Sequence, residues 1–192
     1  IYNDIFLTIQ RRMRDMSNLD KKYDALFTTW KIRDVEIKNR IVLCPMGGTS
    51  LFGWMELTGN HFDKEAAKFF IEKANNNVGL IITGIAPIKS TYWGQWLYEN
   101  EKMFVELKEF MNEIHKTGAK LFIQLTAGMG RSWAITSPLV PLANSKVIST
   151  LIKPIIDLPY ESAAPSELPS RWAENLTTRA LTKKEIHEIV DA

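Results

Sequence analysis

A chain of 192 residues, 45% of them hydrophobic and 24% charged, is long enough to bury one sizeable core and has the composition of a globular domain. A net charge of +2, with no basic stripe interleaved with aromatics, argues against a nucleic-acid partner, and Arg11-Arg12-Met13-Arg14 and Lys21-Lys22 stand beside acids as a solvated surface does. The single cysteine, Cys44, excludes a disulfide framework and any cysteine-rich metal site within this stretch; no apolar run approaches a membrane span, and a reducing, cytoplasmic location without membrane contact is expected.

Residues 1–22 read as a helical lead-in, because Ile5, Ile9 and Met13 share one face. That face either packs over the base of the fold or meets a partner. Residues 26–37 read as a β-hairpin turning at Arg33-Asp34 and able to cap one end of a barrel. Residues 40–44 are apolar after Arg40, which predicts a strand covered on both faces with Cys44 buried at its end. A helix follows over 63–75, with Phe62, Ala66, Phe69, Phe70 and Ala74 in register, and then a strand over 78–83. The next pair is a helix over 101–116, with Phe104, Leu107, Met111 and Ile114 inward, and a strand over 119–125. Strand starts near 40, 79 and 120 give a β/α repeat of roughly 40 residues, which predicts a parallel sheet.

Residues 126–181 hold six of the eight prolines, so no clean helix is expected there, and a stretch of that length reads as a functional excursion. At Thr182 and Glu185 a capping box opens a third helix. The chain starts at Ile1 and stops at Ala192 inside that helix, so a longer polypeptide with a fourth strand is expected.

In a β/α barrel, chemistry gathers at the C-terminal ends of the strands. The first strand runs into Pro45-Met46-Gly47-Gly48, where proline ends the strand and the glycines let a planar ligand approach the backbone; a plain turn is the alternative. Gly84 ends the second strand in the corresponding place, either as a turn or as room for a cofactor. Gln124 is the one amide in Leu121-Phe122-Ile123-Gln124-Leu125; a buried amide needs partners, either on the next strand or on a ligand. Arg131, after Gly128-Met129-Gly130, either holds an anion or pairs with an acid across a loop. Tyr92, Trp93, Trp96 and Tyr98 line an apolar pocket or pack a lid. His115 and Cys44 read as structural, and His61 and His187 receive no role.

These residues resemble the old yellow enzyme family of flavin oxidoreductases. Leu26-Phe27, Ile32, Ile37-Lys38-Asn39-Arg40-Ile41-Val42 and Pro45-Met46 resemble its opening signature, and Val78-Gly79-Leu80-Ile81-Ile82-Thr83-Gly84 its second strand. Gly118-Ala119-Lys120-Leu121-Phe122-Ile123-Gln124-Leu125 with Gly130-Arg131 resembles the third strand, and Arg179-Ala180-Leu181-Thr182 with Glu185-Ile186 the lead into the third helix. The match covers roughly residues 23–192 and is similar above all to the branch with 2-enoate, dienoyl-CoA and bile-acid-inducible reductases.

The resemblance implies an α/β fold, a TIM (β/α)8 barrel of which residues 23–192 hold the first three β/α units behind an N-terminal helix and a capping hairpin. It implies FMN at the strand tips and hydride passing from NAD(P)H through the flavin to the β-carbon of an alkene conjugated with a carbonyl. Pro45, Met46 and Gly47 match the segment along the flavin, Gly84 a flavin-contacting position, and Gln124 the amide that bonds the ring's pyrimidine edge. Gly47 stands where the family often has a hydroxyl or thiol, and Thr49 where some members have a substrate-contacting tyrosine; Thr126-Ala127 replaces a histidine-containing turn. Thr49 and Arg131 are the expected substrate-side residues. The family's substrate-binding His-x-x-His or His-x-x-Asn pair would lie beyond residue 192, as would a 4Fe–4S cluster and FAD. Expected partners are a small apolar unsaturated substrate and either a second copy or the remainder of the polypeptide. The 192 residues alone are expected not to bind FMN tightly or turn over. The rival readings are a non-catalytic half-barrel module that binds or assembles, and a phosphate-substrate barrel enzyme, which would need a strand-end lysine absent from these three strands.

Overall fold

The computed structural model describes residues 21–46, 50–53, 56–132, 140–172 and 175–192, so the lead-in up to residue 20 lies outside the described residues. After a 3₁₀ segment (Lys21–Phe27), strands β1 (Trp30–Ile32) and β2 (Val35–Ile37) form the expected antiparallel hairpin, with Trp30 opposite Ile37 and a left-handed Arg33 (φ 50°) at the turn. Lys38 and Asn39 then fasten the base of the sheet. The Lys38 ammonium donates to the Thr117 carbonyl at 2.8 Å, at the end of a helix. The buried Asn39 amide donates to the Asn77 carbonyl at 2.7 Å and its oxygen accepts from the Ile41 amide at 3.0 Å. A Cβ on Gly79 would stand 2.3 Å from Asn39 Oδ1, so only glycine lets the second strand start there.

Strands β3 (Val42–Leu43), β4 (Leu80–Pro87) and β5 (Lys120–Thr126) form a parallel sheet in that order, joined by α1 (Lys64–Asn75) and α2 (Glu101–Lys116). Asp63 caps α1 by accepting the Glu65 and Ala66 amides, and Asn100 caps α2. One apolar cluster joins the layers: Leu51 and Phe52, Phe70 and Ala74 of α1, Ile81 and Ala86 of β4, and Met103, Leu107, Phe110 and Ile114 of α2. Burial of side chains of this size stabilises by about 1.5–3 kcal/mol each.

Three expectations are corrected. The stripe that α2 buries is Met103–Leu107–Phe110–Ile114, while Phe104 is exposed; neighbours in a helix stand about 100° apart, so Met103 and Phe104 cannot both face inward. The first strand is two residues long and half-buried, and Cys44 beyond it is exposed, because β3 is an edge of the three-stranded sheet and only β4 is covered on both sides. The second strand runs on to Pro87, past its expected end.

Residues 127–181 also depart from expectation, for short helices form there: α3 (Val140–Asn144), α4 (Lys146–Ile152) and α5 (Leu158–Glu161). Pro159 sits in the first turn of α5, where an amide would have no helical partner, and Ser145 and Asp157 cap the helices that follow them. A two-strand parallel pair, β6 (Ala163–Ala164) with β7 (Arg179–Ala180), returns the chain to α6 (Lys183–Asp191), opened by the expected Thr182–Glu185 capping box.

Candidate functional site

The parallel register decides where the predicted residues stand. Leu43 lies opposite Ile81, so Pro45 and Met46 leave the sheet beside the middle of β4. Ile85 lies opposite Gln124, and the register shifts between Ile82 and Ile85, so Gly84 belongs to a bulge within β4 rather than to its end. The bulge frees the buried Thr83 hydroxyl to donate to the Gly84 carbonyl at 3.0 Å. Pro45–Met46, Gly84 and Gln124 are thus brought to one edge of one sheet, on three adjacent strands. Gly47 and Thr49 lie outside the described residues.

Gln124 is exposed rather than buried, together with Ile123 and Leu125, since no described strand covers that side of β5. The cost of an unpaired buried amide therefore does not act on it here; its amide faces out at the strand tip. Met46 is likewise exposed. Among the described residues Arg131 pairs with no acid across its loop; its Nε donates to the Pro169 carbonyl at 3.0 Å. It lines a cavity of about 510 Å³ together with Gly128, Met129, Ala164, Pro165 and Ser166. A wider groove of about 860 Å³ runs between α1 and α2 over Phe62, Ala67, Ile71 and Phe110, and touches none of the strand-tip residues.

Sequence reasoning missed Ser50. Its hydroxyl donates to the Ile85 carbonyl at 2.8 Å, beside the bulge, and accepts from the Phe52 amide at 3.1 Å. With Leu51 and Phe52 wholly buried, it turns the chain after Pro45–Met46 back onto β4. Gly53, at φ 61°, lets that return pass under His61, whose ring stands where a Cβ would be.

Residues 88–97 close on themselves through Ser90 N–H to the Gln95 carbonyl (2.7 Å) and Leu97 N–H to the Ile88 carbonyl (2.8 Å). Trp96 stacks on Tyr98 at 6.4 Å, and the Trp93 indole donates to the Leu57 carbonyl at 2.8 Å. Beside the loop sits Glu161, 2% exposed, whose carboxyl burial pushes up to about 7; a hydrogen bond from Thr91 and the charge of Lys89 pull the other way, and Asp157 adds to the rise. Nothing in the sequence marks Glu161, because its burial depends on two segments far apart in the chain. On α6 the opposite holds: the Arg179 guanidinium, bonded to Glu185 at 2.9 Å, holds that carboxyl down to about 2. Among the described residues no cluster of His, Cys, Asp or Glu could hold a metal ion, and no helix is long and apolar enough to cross a membrane.

Residues 25–192 match the family model described as NADH:flavin oxidoreductase / NADH oxidase. The chain is 33% identical over 178 residues to cinnamate reductase of Clostridium sporogenes, which covers 89% of this chain and 23% of that protein. It is 35% identical to NADPH dehydrogenase of Bacillus velezensis over 106 residues, 52% of this chain and 29% of that protein. The chain therefore spans less than a third of the length of either relative. Among solved structures, old yellow enzyme from Pichia sp. AKU4542 superposes with a TM-score of 0.56 at 22% identity, over 87% of this chain and 40% of that one. A 2-naphthoyl-CoA reductase gives 0.59 at 17% identity, over 88% and 24%. At such identities these two likenesses speak for the fold alone: the β/α units are the opening part of a TIM barrel.

Proposed function

The chain belongs to the NADH:flavin oxidoreductase / NADH oxidase family, and we propose that it forms the first part of an FMN-dependent ene-reductase acting on a carbon–carbon double bond conjugated with a carboxylate or thioester. The observation that carries this reading is the meeting of Pro45–Met46, Gly84 and Gln124 at one edge of three parallel strands. Those residues fit a flat heterocycle with one polar edge: a strand end closed by proline, a bulge at a glycine, and an outward-facing carboxamide. The chemistry a bound FMN supplies is two-electron transfer, hydride taken from NAD(P)H and delivered to the alkene.

In this reading Pro45, Met46 and Gly47 would run along the ring, Gly84 would give it room beside β4, and the Gln124 carboxamide would bond its polar edge. Ser50 holds the strap that carries the first of these in place. Thr49 and Arg131 would stand on the substrate side. The 33% identity to cinnamate reductase supports an unsaturated acid with an apolar tail as substrate, with its thioester as the second choice.

The test is the visible spectrum of the natural full-length protein, purified without air. A flavin band that NAD(P)H bleaches and cinnamate or its CoA thioester restores is expected. A colourless full-length protein that gains no flavin band when supplied with FMN overturns the reading and leaves the non-catalytic half-barrel. The 192 residues alone, with β3 and β5 both edges, are expected to bind FMN weakly and not to oxidise NADH.

A further inference from the structure

The groove between α1 and α2 has an apolar floor and a charged rim. Phe62 and Phe110 meet across it with ring centroids 5.7 Å apart, and the small side chain of Ala67 leaves the floor hollow beside them. Ile71 is half-buried on the same floor. At one end the Lys64 ammonium reaches Glu106 across the groove at 3.5 Å. At the other, past Ile71, Glu113 and Lys116, the groove runs on into a hollow of about 590 Å³ beside Lys38 and Thr117.

Residues 1–20, outside the described residues, join the fold near that second end. The Leu26 carbonyl accepts from the Arg40 amide at 2.8 Å, and Arg40 is two residues from Lys38. The 3₁₀ segment rises about 2 Å per residue, so Lys21 stands on the order of 10 Å from Leu26. In the sequence before it, Tyr2, Ile5, Phe6, Ile9, Met13 and Met16 keep the spacing i, i+3, i+4, i+7. At about 100° per residue they fall in one stripe roughly 100° wide, the width of an apolar helix face. As a helix, residues 1–20 would run about 30 Å, enough for the whole length of α1, which has 12 residues, or α2, which has 16. Arg11, Arg12 and Arg14 balance Asp4, Asp15 and Asp20, just as Lys64, Lys68 and Lys116 balance Glu106, Glu109 and Glu113 on the rim, so no net charge opposes their meeting.

We infer that residues 1–20 form an amphipathic helix seated in this groove, with its apolar stripe on Phe62, Ala67, Ile71 and Phe110. Anchors at i, i+3, i+4 and i+7 are those by which a helix lies in an apolar groove. The tether at Lys21 decides the occupant. A segment joined to the fold beside the groove meets it at an effective concentration on the order of millimolar, an advantage that a second copy or another protein lacks. Seated there, the helix bridges the first two β/α units and holds them to each other. The groove touches none of the residues proposed to hold FMN, so the docking does not depend on the cofactor.

Hydrogen exchange of the natural full-length protein tests the docking. Residues 2–16 are expected to exchange at least tenfold more slowly than in the isolated peptide of residues 1–20. Ile9→Glu puts a charge into the stripe and should return them to the peptide's rate. Leu7→Glu, about 150° from the centre of the stripe, should leave them protected. Both changes lie outside the β/α units, so neither can act by unfolding them. The place is read with the photocrosslinker benzoylphenylalanine at position 9 of the full-length protein: after irradiation and digestion, links within one chain to residues 62–71 or 106–116 are expected. Protection of residues 2–16 below tenfold, equal loss in Ile9→Glu and Leu7→Glu, or links chiefly to a second copy or to another segment overturns the docking.

Discussion

Residues 42–126 and residues 127–181 hold together differently. In the first, apolar side chains from α1, β4 and α2 meet in one continuous cluster around Phe70, Ile81 and Ile114. In the second, the apolar cluster is Val140, Leu158 and Leu176 with a few half-buried neighbours. The rest is tied by side chains reaching the backbone: the Thr178 hydroxyl to the Leu168 carbonyl at 2.8 Å, Arg131 to Pro169, Asn144 to the Asn175 carbonyl at 3.3 Å. Packing energy scales with area and accumulates; single hydrogen bonds contribute about 0.5–1.5 kcal/mol each and depend on geometry. The barrel units are therefore the rigid frame, and the excursion is a set of separately fastened pieces.

Substitutions can break this contrast. The largest effect belongs to the frame: Phe70→Ala removes a ring 1% exposed and should cost about 3–5 kcal/mol, read as a fall in the urea midpoint. Thr178→Val in the excursion keeps the shape but removes a hydroxyl that donates to the Leu168 carbonyl and accepts from the Leu168 amide, so about 1–2 kcal/mol is expected. If it costs as much as Phe70→Ala, the two regions are not held differently. The Arg179–Glu185 pair sharpens the comparison through pH. Since the carboxyl is held down to about 2, its stabilisation is present above pH 4.5 and lost as pH falls toward 2. The pair is partly exposed, so screening limits it to on the order of 1 kcal/mol, and Glu185→Gln should remove that acid-side slope from thermal melts. Smallest in stability is Gln124→Ala, expected within about 0.5 kcal/mol of wild type because the residue is exposed. In the full-length protein it should still weaken FMN binding by roughly three- to tenfold, read by flavin release on dilution.

The same contrast explains what could be read in advance. The frame's helices and parallel strands follow from periodicity, α2 spans the expected 101–116, and α6 begins where the Thr182–Glu185 capping box predicts. In α2, Leu107 and Ile114 face inward as expected, but a period of 3.6 leaves Met103 and Phe104 both eligible until the sheet selects one. The helices of the excursion were hidden because a proline that ends one helix serves equally in the first turn of another.

The sequence by itself determined the β/α order, the caps and the family signature, because these are local patterns of neighbours in the chain. It also set Pro45, Gly84 and Gln124 in corresponding places of three successive repeats. Tertiary structure alone decided that β4 carries the bulge at Gly84, that Gln124 and Cys44 are open to solvent, and that Glu161 is buried. Register, edge position and burial are properties of which segments meet across the sheet, and no single stretch of chain contains that information.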